Sequence, residues 1–144
     1  MARVLSVLLA LCLAFFAVAA PLQQRQVGDL QCNINRLKIV ASLASTTTAV
    51  GKIDTTDPAT ASAVTAAQAG LSSASDGIKT IAQSLVTGQT APASARDQVG
   101  AGLLAAQTAL TGITDPAAAT AVTAAQNQLT TTIADGKAVV ADCK

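Results

Sequence analysis

Residues 57–71, DPATASAVTAAQAGL, return at residues 115–129 as DPAAATAVTAAQNQL, with eleven of the fifteen positions identical. A near-copy 58 positions further on (115 − 57) marks a duplicated supersecondary unit, and it restricts the chain to folds that one element can build twice. The copy continues more weakly upstream, where TAVGKI at 48–53 matches TALTGI at 108–113. Each unit reads as a helix, a short turn and a second helix.

The helical reading rests on start signals and spacing. Asp57-Pro58 and Asp115-Pro116 each place a carboxylate where it can accept from the orphan amides of a first turn, followed by a proline whose missing N–H costs nothing there. Asp57 and Asp115 are therefore expected N-caps. Ser94, with Asp97 three residues on, resembles a capping box and is the expected N-cap of the third helix. Gly88 stands where a glycine closes the second helix.

Apolar residues then fall at steps of three and four. In the first helix they are Leu30, Ile34, Leu37, Ala41, Ala44, Thr48 and Ile53, which predict a helix from an Asp29 cap to about Lys52. In the second they are Val64, Ala67, Leu71, Ala74, Ile78, Ile81 and Leu85. The third carries Val99, Leu103, Ala106, Leu110 and Ile113, and the fourth Val122, Ala125, Leu129, Ile133, Gly136 and Val140. Two αα-hairpins, 30–87 and 94–143, joined by the GQTAPA segment at 88–93, predict an all-α, antiparallel four-helix bundle. The stripes are expected to form its core. Their small residues permit either close helix packing or a narrow apolar channel. If the bundle opened along GQTAPA, the same stripes would meet an apolar surface or ligand.

Compartment follows from the first residues. Met1 to Ala19 has one basic residue (Arg3), an apolar run from Val4 to Val18 and small residues at its end, the layout of a secretory signal peptide cleaved after Ala19. The apolar run is short for a membrane span of ~20 residues. Residues 20–29 read as a flexible mature N-terminus. Without the signal the chain keeps two cysteines, Cys32 and Cys143, and in an oxidising export route these are expected to pair. Up-down-up-down topology brings the start of helix one and the end of helix four to the same end, as such a bond requires.

Composition removes several function classes. The only aromatic residues, Phe15 and Phe16, leave with the signal. Eight Lys/Arg then face eight Asp, with no Glu and no His in the chain. No basic patch or stacking platform can be drawn, so neither nucleic acid nor an anionic membrane is an expected partner. Without His no metal site is expected, and no cofactor motif occurs. General acid/base work would fall to Asp or Lys alone, and no serine has a histidine partner, so the chain is not expected to be an enzyme. Asp54 with Asp57, and Asp135 with Asp142, read as caps and solvated helix ends.

The signal peptide, a first helix of the type NRLKIVASLASTTTAV, an Asp-containing turn and Ala/Thr-rich helices such as TASAVTAAQAGLSSASDGIKTIAQSL together resemble the fungal hydrophobic surface-binding protein A family, which includes cell wall galactomannoproteins. The resemblance implies a secreted helical protein, extracellular or associated with the cell wall. It implies a hydrophobic surface or a lipid as partner, and a secreted polyester- or cutin-degrading hydrolase as a protein that it recruits. A small secreted effector or signalling protein is a further reading of the same chain. The chain departs from the family in its shortness, its lack of aromatics and its end-to-end cysteine pair, and no functional residue carries over by motif.

Overall fold

The computed structural model describes residues 30–143, so the expected signal peptide (1–19), the leader at 20–29 and the Asp29 cap lie outside the described residues. Four helices follow in order: α1 (Leu30–Val50), α2 (Pro58–Val86), α3 (Ala93–Thr111) and α4 (Ala119–Asp142). They form the all-α bundle that the duplicated pattern predicts, and a Cys32–Cys143 disulfide with a Cα–Cα distance of 5.0 Å joins the start of α1 to the end of α4.

The caps show where the two copies diverge. Asp57 accepts from the Thr60 amide at 2.7 Å and caps α2, with Pro58 as the first helical residue. At the other end of α2, Gly88 takes φ 73°, the Gly88 amide reaches the Leu85 carbonyl and the Gln89 amide reaches the Ser84 carbonyl. These are the two bonds of a Schellman motif, which needs a left-handed residue at that point. The other two expected caps need correction. Asp115 accepts from the Ala117 amide at 2.9 Å, two residues on rather than three. Residues 116–118 then form a turn, and α4 begins at Ala119 with no side-chain cap. The difference lies at one position: Thr60 offers Asp57 both an amide and a hydroxyl, whereas its counterpart Ala118 has only the amide. Ser94 is likewise not a cap, because α3 starts one residue earlier behind Pro92, whose carbonyl takes the Arg96 amide.

Duplication extends into burial. In α1 the buried positions are Cys32, Asn35, Ile39, Ser42, Leu43, Thr46 and Val50. Moved by 60 positions, the last six become Ala95, Val99, Gly102, Leu103, Ala106 and Leu110, the whole buried face of α3. In α2, Val64, Ala67, Leu71 and Ala74 are buried, and 58 positions on so are Val122, Ala125, Leu129 and Thr132 of α4. The core therefore holds matched residues from both units, with Ile39, Leu43, Ile53, Leu71, Leu103, Leu110 and Leu129 as its largest members.

The helices do not pack most closely within each sequence hairpin. The close pairs are α2 with α3 and α1 with α4, while α1/α2 and α3/α4 touch at fewer points. The molecule is thus two layers, α2–α3 and α1–α4, with the leucines between them and both Asp-Pro turns crossing from one layer to the other at one end. An operation that exchanges the two units carries the α2/α3 contact onto the α4/α1 contact, which is the pairing expected of two αα units that close on one another.

The expected stripe of α1 is out of phase and is corrected here. Leu30, Ile34, Leu37, Ala41, Ala44 and Thr48 are all exposed, and only Ile53, beyond the helix end, is buried. The face that packs inward lies roughly opposite. α1 is apolar on two sides, and spacing alone does not say which one the bundle uses.

Candidate functional site

The thirteen stripe residues proposed from sequence separate into three groups. Val64, Leu71, Val99, Leu103, Leu110, Val122 and Leu129 are buried in the core. Ile78, Ile81, Ile113 and Ile133 pack partly buried against it, and Leu85 is half-buried near the end of α2. Val140 is exposed. In the closed bundle this stripe holds the fold together and is not a surface.

Close packing on the α2/α3 side is set by glycine. A methyl group built on Gly70 would lie 2.6 Å from the Gly102 carbonyl oxygen, and one on Gly102 would lie 2.5 Å from the Gly70 carbonyl oxygen. Backbone meets backbone here, and the small residues serve close approach. Opening the bundle along GQTAPA would separate these two helices, one of its two most closely packed pairs.

The exposed face that sequence reasoning missed lies on α1. Leu30 is 74% exposed, Leu37 73% and Val40 50%, with Ile34 at 37% and Ala41 and Ala44 also open. These positions follow the helix at steps of three and four and form an unbroken outward apolar stripe. In the sequence Leu30, Ile34 and Leu37 have the same three-four spacing as a core face and read as core for that reason. Arg36 and Lys38 stand on either side of Leu37, about 100° around the helix in each direction. The Arg36 guanidinium donates to Asn33 Oδ1 at 3.1 Å, and among the described residues neither cation has a carboxylate partner. α1 contains no acidic residue.

Beside this stripe, α1 and α2 leave an apolar groove of about 300 Å3 lined by Val40, Leu43, Ala44 and Thr47 on one wall and Ser75, Ile78 and Lys79 on the other. Lys79 at its edge pairs with Asp76 at 3.0 Å. A second recess, about 380 Å3, lies between the two Asp-Pro turns and is lined by Asp57, Thr60, Ile113, Asp115 and Pro116 among others. Asp57 is held below the usual carboxylate range, first by the Thr60 amide and then by the Thr60 hydroxyl. Asp54 is lowered in the same sense, first by the Thr56 hydroxyl and then by its amide. Both shifts belong to caps and turns.

Among the described residues no group of three or more His, Cys, Asp or Glu could hold a metal ion, and no helix is long and apolar enough to cross a membrane. No protein-family model, curated protein or solved structure gives a significant match to this chain.

Proposed function

We propose that this is a secreted, non-enzymatic protein that associates with hydrophobic surfaces or the cell wall and brings secreted hydrolases to them. The observation that carries the reading is the outward stripe of Leu30, Ile34, Leu37 and Val40 on α1. A soluble chain with a formed core leaves single apolar residues outside as a matter of course, but an aligned run of them along one helix is the kind of patch that marks an interaction site. The stripe is available without opening the bundle, so the Cys32–Cys143 bond and the glycine contact of α2/α3 stay intact during adsorption. The resemblance to the surface-binding family points in the same direction.

Adsorption of the mature protein to polyester beads tests this. The wild type is expected to bind and to remain bound in high salt, because apolar burial is not screened. A Leu30→Ser/Leu37→Ser variant, altered only at exposed positions, is expected to fold normally and to lose most of the binding. Equal adsorption of the variant, or none by the wild type above an inert helical control, would refute the reading.

The α1/α2 groove favours a second reading, an extracellular lipid-binding bundle that seats part of an acyl chain against Val40, Leu43 and Ile78. Native mass spectrometry of protein from its own host would then show a bound acyl species, and a clean apo mass with no fatty-acid uptake would dismiss it.

A further inference from the structure

We infer that the surface α1 docks on is an anionic lipid bilayer, with the outward stripe entering the headgroup boundary and Arg36 and Lys38 lying against lipid phosphates. The inference rests on the surface-association reading and adds to it the face used and the chemistry met. Charge arrangement carries it. Whole-chain balance, which speaks against an anionic membrane in the sequence, averages over a local excess: α1 has two cations and no acid, so the positive charge is local to the helix that is apolar outside. The two cations flank Leu37, one on each side of the stripe, and no carboxylate neutralises either among the described residues. A helix with Leu and Ile on one face and Lys/Arg along its borders is the form that lies in a membrane interface, where the long stems reach sideways and put their charges at headgroup level.

Among the described residues no carboxylate of the neighbouring elements pairs with either cation, the half-buried Asp135 of α4 included. On α2, Asp76 is already paired with Lys79. On α4, Asp142 accepts from Asn35 Nδ2 at 2.6 Å, at the disulfide end and on the inward side of α1. The same charges argue against a second copy of the chain as occupant. Two α1 faces set together would gather four cations, with no acid contributed by either helix.

Vesicle flotation with the full mature protein tests the proposal, alongside the polyester beads. Wild type is expected to float with phosphatidylcholine vesicles containing phosphatidylserine and to bind pure phosphatidylcholine much more weakly. Arg36→Gln/Lys38→Gln is expected to lose roughly 30-fold in apparent affinity for the anionic vesicles, about five-fold per cation, while its bead adsorption is unchanged. Leu30→Ser/Leu37→Ser is expected to lose both. Circular dichroism confirms that the variants fold, since all four positions lie outside the buried face of α1.

Bead adsorption without preference for anionic vesicles would overturn the lipid assignment and leave surface association standing. The same holds if the charge variant floats as well as wild type, or if sedimentation shows that the stripe is buried between two copies. Failure on both beads and vesicles would remove the underlying reading as well.

Discussion

The α2/α3 and α1/α4 interfaces occupy equivalent places in the duplicated chain, yet they are built from different materials. Where α2/α3 has Gly70 and Gly102, the equivalent positions in α4 and α1 are Gln128 and Ser42. Where α2/α3 has Ala74 and Ala106, both fully buried, α4 and α1 have Thr132 and Thr46, whose hydroxyls lie 2.9 Å apart with both side chains fully buried. Each of these hydroxyls also lies within reach of a carbonyl one turn back, Ser42 for Thr46 and Gln128 for Thr132. Two protons serve three contacts, so the hydroxyl that donates across the interface releases its own carbonyl. Asn35, 2% exposed, donates to Asp142, and the disulfide closes the end. One interface is therefore held by backbone proximity and dispersion, the other by polar side chains and a covalent bond. A close approach that has no room for side chains needs no polar match, and a pair carrying hydroxyls and an amide must satisfy them.

The largest expected effect concerns the bond. Replacing Cys32 and Cys143 by alanine should lower unfolding free energy in urea by about 4 kcal/mol, given a loop of 111 residues. Hydrogen exchange should show that loss in every amide that exchanges by global unfolding, with a further local loss at the start of α1 and the end of α4, and no such local addition would break the distinction. Next comes the glycine contact. Gly102→Val should cost about 3 kcal/mol or prevent folding, because its side chain would have to displace the Gly70 carbonyl and Ala74. The equivalent position on α1 already carries a side chain, so Ser42→Val, which adds less volume than Gly102→Val, should cost less, about 1 kcal/mol, in the same denaturation experiment. A comparable cost at both sites would mean that the two interfaces are equally tight.

Smaller again is the threonine pair. Thr46→Val and Thr132→Val should each cost about 1 kcal/mol, and the double variant should cost less than their sum, since replacing both partners by apolar groups of the same shape removes the polar demand. An additive double-mutant cycle would show that the hydroxyls do not act as a pair. The smallest effect separates the two Asp-Pro starts. The Asp57 carboxyl is lower in the folded chain than in the unfolded one, so its contribution is complete above about pH 4 and fades as pH falls through the native value. Thermal melts of Asp57→Ala should accordingly converge on wild type in acid. Asp115→Ala, which removes a turn contact and no helix cap, should shift the midpoint less than Asp57→Ala at neutral pH.

Much of the architecture was legible in the residues, and the limits have physical causes. The repeat, the Asp57 cap, Gly88 and the cysteine positions each signal a local conformation or a required proximity, and these agree with the bundle. Ser94 and Asp115 misled because a capping residue type reports what a side chain can do, while the partner amide and the neighbouring residue decide whether it does so. In α1, Ile39, Leu43 and Val50 compete with Leu30, Ile34 and Leu37 for the core, and a one-dimensional period has no means of ranking two faces. What decides is the neighbour: Asn35, Ser42 and Thr46 are small or polar residues that fit against α4. The layer arrangement was hidden for a related reason. A short turn shows that two helices are adjacent but not how closely they approach, and Gly70, Gly77 and Gly102 were the available clue. The outward face of α1 was present in the sequence as composition and became a candidate site only when the packing direction was known.

The bond at the two ends gives the chain a further property. From Cys32 to Cys143 the backbone is covalently a ring, with the disulfide as its closing link. A single cut anywhere inside it, for instance at the exposed GQTAPA connection, releases no fragment. The nicked protein would keep one mass, raised by a water, until a reductant is added, when it would separate into two pieces. Loss of the folded chain to cleavage then depends on two independent events, a backbone cut and a reduction, and not on one.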